Sequence, residues 1–174
     1  MIQITRAIAA LGAAALLGSC SGTNIGGPGG AGFQANYFAA RTALESGNYT
    51  GAASRYDAML ANAGPLESRL RLEKAHALLR ADQYAAAETE AAVVAAAHAD
   101  NRRAAALAVL GTAAHRQAQV AMANGDFGPG TVAHLRRAEA ALDEMLRTAP
   151  DLDPLGSMAE RLAMTRTSLA NLGG

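Results

Sequence analysis

Two turn signals constrain this chain more than any other feature. Gly47-Asn48-Tyr49 and Asp82-Gln83-Tyr84 lie 35 residues apart, and each pairs turn-forming residues with an aromatic. Each interrupts a stretch whose apolar residues recur at helical spacing. Three residues past each aromatic stands an alanine, Ala52 or Ala87, and seven residues further come Met59 and Val94. A chain punctuated in this way folds as a run of short helices that reverse at each turn. Composition agrees: 45 of the 174 residues are alanine, aromatics make up 4% and tryptophan is absent. Small, strongly helix-favouring side chains suit closely approaching helices, whereas a sheet would call for β-branched and aromatic residues.

The remaining breaks complete the division. Gly64-Pro65 ends a segment, with Pro65 suited to open the next. Asp82 and Asp100-Asn101 supply caps. Gly125-Asp126 and then Gly128-Pro129-Gly130 interrupt the chain again, and Asp153-Pro154 offers an N-cap followed by a first-turn proline. The expected helices are about 33–46, 50–62, 66–81, 83–98, 101–124, 131–148 and 154–171, with no strand. The fold class is all-α. The stretch Gly128 to Leu135 reads as a glycine-rich insertion, a second candidate working surface.

The N-terminus reads as an address. Ala7 to Gly18 is an apolar run of twelve, the length of a secretory signal's core and too short to span a bilayer. Leu17-Gly18-Ser19-Cys20 resembles the lipobox of bacterial lipoproteins, with the chain's single cysteine in the position that receives lipid. The resemblance implies cleavage before Cys20, lipidation at Cys20 and, from Ser21 at the following position, sorting to the outer membrane with the protein on its periplasmic face. Two or three acyl chains anchor stably where one is marginal. Loss of residues 1–19 leaves 14 basic against 15 acidic side chains, so the lipid and not charge would hold the protein to a membrane. Ser21 to Gly32 is a glycine-rich tether with a root-mean-square span of about 19 Å. Its G-x-G-x-x-G match at Gly27, Gly29 and Gly32 lacks the surrounding βαβ pattern of a dinucleotide site.

The 35-residue spacing, the aromatic after the turn and the small residues Ala40, Ala52, Ala75 and Ala87 resemble the tetratricopeptide repeat (TPR). A third unit carries Leu107, Leu110 and Gly111, then Phe127, Ala138, Leu142, Met145 and Pro150, with a first helix that overruns the pattern by about two turns, to Asn124. The pattern departs from the family: Asn36, Arg71 and Leu107 fill its tryptophan position, and Ala43, Leu78 and Ala114 its first-helix tyrosine. The resemblance implies a helical-hairpin solenoid of about three repeats over residues 33–153. It also implies a capping helix and C-terminus over 154–174, with Leu155, Met158, Leu162 and Leu169 on the buried face. By carry-over, the concave surface of the first helices takes a protein or peptide partner through Tyr37, Arg41, Arg69, His76, Arg80, His115 and Arg116. That surface is more basic than the chain, whose formal net charge is zero, and suits an acidic segment. Pairing of the arginines with Glu45 or Glu73 is the alternative.

No catalytic or metal-binding constellation stands out. His76, His98, His115 and His134 are never three or four residues apart, and no H-E-x-x-H, G-x-S-x-G or P-loop occurs. The expectation is a non-enzymatic protein without cofactor or small-molecule substrate. Zero net charge argues against a nucleic-acid binder held by phosphate contacts. In architecture the chain is similar to pilotin-like lipoproteins of Tad/Flp pilus, type IV pilus and secretin assembly. This similarity implies partner capture during assembly of a pilus or secretion system. An adaptor for cell-wall enzymes or for outer-membrane protein insertion is the alternative.

Overall fold

A computed structural model describes residues 30–173. The described residues form seven α-helices and no strand: α1 (Ala31–Glu45), α2 (Tyr49–Leu60), α3 (Glu67–Arg80), α4 (Tyr84–Ala97), α5 (Asn101–Ala123), α6 (Pro129–Thr148) and α7 (Ser157–Asn171). Cys20, the lipobox and most of the tether lie outside the described residues. Two residues assigned to the tether, Ala31 and Gly32, are already helical. None of the described helices is long and apolar enough to cross a membrane.

Each helix packs on its neighbour in the chain, and α3 also touches α5, as α5 touches α7. Alanine makes the close approach possible. Ala40, Ala52, Ala75, Ala87 and Ala138 are fully buried at the crossings, where a side chain ending at Cβ lets helix axes come near. Gly111 goes further: a Cβ added there would lie 2.7 Å from Leu142 Cγ and 3.3 Å from the Ala138 carbonyl oxygen, so α5 meets α6 at this point backbone to side chain. Larger residues fill what remains. Tyr56, Met59, Val94, Leu142 and Met145 are all buried, and Tyr56 meets Tyr37 of α1 edge to face at 6.2 Å.

Three turns are built alike. The amides of Gly47 and Asn48 donate to the carbonyls of Leu44 and Ala43; those of Asp82 and Gln83 donate to Leu79 and Leu78; those of Gly125 and Asp126 donate to Met122 and Ala121. This is one helix-ending motif used three times, and it needs a left-handed residue at its centre. Gly47 (φ 86°) and Gly125 (φ 79°) take that conformation freely, while Asp82 (φ 58°) is the single non-glycine residue to do so among those described. Asp82 therefore ends α3 and does not cap α4, whose N-cap is Gln83. Asp100 does cap, accepting from the Arg102 amide at 3.0 Å.

The third hairpin is longer than the other two. Ala40 and Ala75 each stand seven residues before the left-handed residue of their turn, but Gly111 stands fourteen before Gly125. Beyond the turn, Ala52 and Ala87 stand five residues on, and buried Ala138 thirteen. Both α5 and α6 thus carry about two additional turns, projecting roughly 10 Å at 1.5 Å per residue. The added stretch at Gly128 to Leu135 is helical and not a glycine-rich loop. It is the first two turns of α6, opened by Pro129 with Thr131 and Leu135 buried. Phe127, the aromatic of the third unit, is 58% exposed, whereas Tyr49 and Tyr84 are partly buried; α6 starts two residues later than α2 and α4 do after their turns.

α7 closes the array, and its start also needs correction. It begins at Ser157, not Pro154, after a turn in which Gly156 is left-handed. Asp153 still caps it, from further back: its carboxylate accepts from the amides of Met158 and Ala159 at 3.0 and 2.9 Å. Leu162 and Leu169 are buried as expected, but Leu155 sits in the turn and is 93% exposed.

Candidate functional site

The odd-numbered helices share a face, and its best-formed hollow lies between α1 and α3. This groove has a volume of about 390 Å³ and is lined by Arg41, Leu44, Arg69, Leu72, Glu73, His76 and Arg80. Four of the seven expected partner-binding residues, Arg41, Arg69, His76 and Arg80, therefore meet in one place. They do so because α3 presents positions 69, 72, 73, 76 and 80 on one side, the spacing of a helical face.

The charges in the groove divide into two kinds. Glu73 is an organising acceptor: Arg41 donates to it at 3.1 Å and Tyr37 at 3.3 Å, and Arg41 also donates to Glu45 at 3.0 Å. The Glu73 charge, ahead of other influences, holds the Arg41 guanidinium's pKa above its ordinary value. Arg41 is thus the arginine that pairs with Glu45 and Glu73 instead of standing free.

Arg69 and Arg80 behave differently. Neither has a carboxylate within salt-bridge distance among the described residues. Arg69 lies over the Tyr37 ring at 5.4 Å and donates to its hydroxyl at 3.0 Å. Arg80 lies over Tyr49 at 4.6 Å. Stacking of this kind fixes a guanidinium without neutralising it. Arg116 of α5 repeats the arrangement over Tyr84 at 5.9 Å and donates to Gln119. Tyr49 and Tyr84 are the two turn aromatics, and Arg80 and Arg116 stand at matching places relative to Ala75 and Gly111. A stacked arginine thus recurs from one hairpin to the next. The sequence reading had the arginines but not their tyrosine shelves, for which the 35-residue spacing of the two tyrosines was the available signal.

His76 is open to solvent on the groove floor, yet the walls around it remove part of its hydration. That desolvation lowers its pKa from the ordinary imidazole value, against the smaller opposing influence of Glu73.

His115 does not belong to the open surface, which corrects the sequence reading. It is 1% exposed beneath α7, where its Nδ1 and the Thr165 hydroxyl are 2.8 Å apart. Thr165 donates its own proton to the Arg161 carbonyl at 2.8 Å. His115 Nδ1 must then be the donor to Thr165, leaving Nε2 unprotonated. Burial first, and then the Arg161 and Arg116 charges, push the His115 pKa down to about 4. A helix over this stretch was legible in the sequence, but that it would sit on His115 was not, since Thr165 is not an apolar marker.

Away from this face the charges are mostly paired. Lys74 and Arg71 of α3 both bind Glu90 of α4, at 2.6 and 2.8 Å, and Lys74 also reaches Asp57 of α2. Glu88 of α4 accepts from Arg137 of α6 at 2.7 Å. These bridges tie neighbouring helices together. No group of three or more histidine, cysteine, aspartate or glutamate side chains is arranged to hold a metal ion among the described residues.

No protein family, curated protein or solved structure matches this chain.

Proposed function

We propose that this protein is a lipid-anchored scaffold with a TPR-like helical domain, held through Cys20 on the periplasmic face of the outer membrane. On this reading it captures one partner protein during assembly of an envelope machine such as a pilus or secretion system. The observation that carries the reading is the groove between α1 and α3, in which Arg69 and Arg80 are held on tyrosines, free of carboxylates, around an open His76. Paired arginines would argue for a surface that only stabilises the fold; arginines fixed but unneutralised are preorganised for an external acceptor. The three matching turns, the small residues at each crossing and the contacts of α3 with α5 and α5 with α7 support the repeat reading. A lipid at Cys20 and a glycine-rich tether would confine the domain to one surface, raising its effective concentration toward a partner on that surface.

Two substitutions test the reading separately. Cys20→Ala is expected to move the protein from the membrane to the soluble periplasmic fraction; unchanged fractionation would refute the anchor. Arg80→Glu is expected to weaken partner recovery from detergent extracts at least tenfold with an unchanged melting curve; recovery equal to the parent would remove the groove from the function.

A further inference from the structure

The α1–α3 groove has an apolar extension. A second hollow of about 370 Å³ opens beside it, walled by Phe33, Tyr37 and Phe38 on one side and by Leu66, Arg69 and Leu70 on the other. Arg69 lines both hollows. Tyr37 holds it there: the Arg69 guanidinium donates to the Tyr37 hydroxyl at 3.0 Å, and that hydroxyl donates to Glu73 at 3.3 Å. The two hollows are thus one trough, divided by a stacked arginine and tyrosine. On α1 their lining residues stand seven apart, Gln34 against Arg41 and Tyr37 against Leu44. The hollows therefore lie about 10 Å from each other at 1.5 Å per residue. The trough is open because α1 approaches α3 less closely than α3 approaches α5.

The two ends differ in chemistry, and both face solvent. At the apolar end the Phe38 ring is 68% exposed, although Phe33 and Leu70 beside it are buried. A partner that covers this ring removes from water the apolar area that the fold leaves there. At the other end Glu73 and Glu45 take up the charge of Arg41. Exposed Arg69 and Arg80 keep theirs, with exposed His76 between them along α3. An acid complements that end, and a base is repelled by it. Hollows of this size take single side chains, not a helix about 10–12 Å across.

We infer that the trough binds an extended partner segment with two recognised side chains three residues apart. One is large and apolar and enters the hollow beside Phe38; the other is a carboxylate received by Arg69 and Arg80. Three residues of extended chain cover about 10 Å, the separation of the two hollows. The tyrosines hold both guanidiniums in place before the acid arrives, without neutralising them. The inference rests on the capture reading and names the chemistry of the partner: apolar residue and acid on one strand, at a fixed spacing.

The test uses the full-length chain in lipid nanodiscs, with calorimetric titration of blocked tetrapeptides: Phe-Ser-Ser-Glu, its reverse Glu-Ser-Ser-Phe, Ser-Ser-Ser-Glu and Phe-Glu-Ser-Ser. One of the first two is expected to bind at least fivefold more tightly than either of the others. Phe38→Ser, at an exposed position, is expected to weaken that peptide at least fivefold and to leave Ser-Ser-Ser-Glu unchanged. Arg80→Gln is expected to weaken both at least tenfold. Val93→Ser, which removes an exposed apolar side chain of α4 outside the trough, is expected to change neither. Equal affinity for all four peptides, or an unchanged Phe38→Ser, overturns the paired recognition; if Arg80→Gln still weakens binding, capture by the groove stands. Loss in Phe38→Ser without loss in Arg80→Gln overturns the acid half and counts against the groove as well. If Phe38→Ser lowers flotation of the Cys20→Ala chain with phosphatidylethanolamine–phosphatidylglycerol vesicles and leaves peptide affinity intact, the apolar hollow sits on lipid and the proposal falls. No binding of any peptide by the parent chain also overturns it.

Discussion

Replacing Gly111 by alanine separates two physical effects of opposite sign. In an unconstrained helix interior the change stabilises by roughly 0.5–1 kcal/mol, because alanine loses less backbone freedom than glycine. At this position the new methyl meets Leu142 Cγ at 2.7 Å, Leu142 Cδ2 at 2.9 Å and the Ala138 carbonyl oxygen at 3.3 Å. Leu142 is itself fully buried, and its branch point rather than a flexible end is in the way, so α5 and α6 must part. Overpacking of this kind costs about 1–3 kcal/mol. The net expectation is a loss of about 1–2 kcal/mol, or on the order of 2–8 °C in melting temperature for a chain this size. Thermal unfolding followed by circular dichroism reads it directly. Leu142→Ala alone should cost about 2–5 kcal/mol. In that background Gly111→Ala should turn neutral or stabilising, giving a coupling of at least about 1 kcal/mol. A rise in melting temperature on Gly111→Ala in the parent chain would refute the close crossing of α5 and α6.

Two further expectations follow from burial. Ala87 is fully enclosed between α3 and α4, so Ala87→Leu should destabilise by about 1–3 kcal/mol, and an unchanged melt would contradict the packing at that crossing. His115 is held at about 4, below the ordinary 6.5, so the unfolded chain binds more protons between those values. Stability from this group is complete above pH 6.5 and is lost as pH falls toward 4. His76 and His134, also lowered, act with the same sign. A melting series from pH 7 to pH 4 should fall steadily in the parent and less steeply in His115→Gln; equal slopes would show that His115 is not buried neutral.

The helical architecture was legible because turn chemistry is local. Gly47, Gly64-Pro65, Asp100 and Gly125 announce breaks through their own backbone preferences, and the small crossing residues Ala40, Ala52, Ala75, Ala87 and Gly111 repeat at a readable spacing. What depends on contacts between distant residues was not legible. Gly128-Pro129-Gly130 looks like a loop because glycine and proline usually make one, yet Pro129 opens α6 and the lengthened α5 gives those turns a partner. Asp82 looks like a cap but takes the left-handed place that glycine fills in the other two turns. Within the site, the helical face of α3 was readable from spacing alone. Whether each arginine was neutralised was not, since Arg41 meets Glu73 across 32 residues while Arg69 and Arg80 meet only tyrosines.

The most direct test of partner capture is photo-crosslinking in living cells with the probe at His76 and, as control, at exposed Arg55 on α2. The account predicts one dominant adduct from His76, to a component of a pilus or secretion machine, absent from Arg55 and lost in Arg80→Glu. Adducts of equal strength from both positions, or none from His76, would contradict it; a single His76 adduct to a cell-wall enzyme or to the outer-membrane insertion machinery would keep the groove but overturn the assembly role.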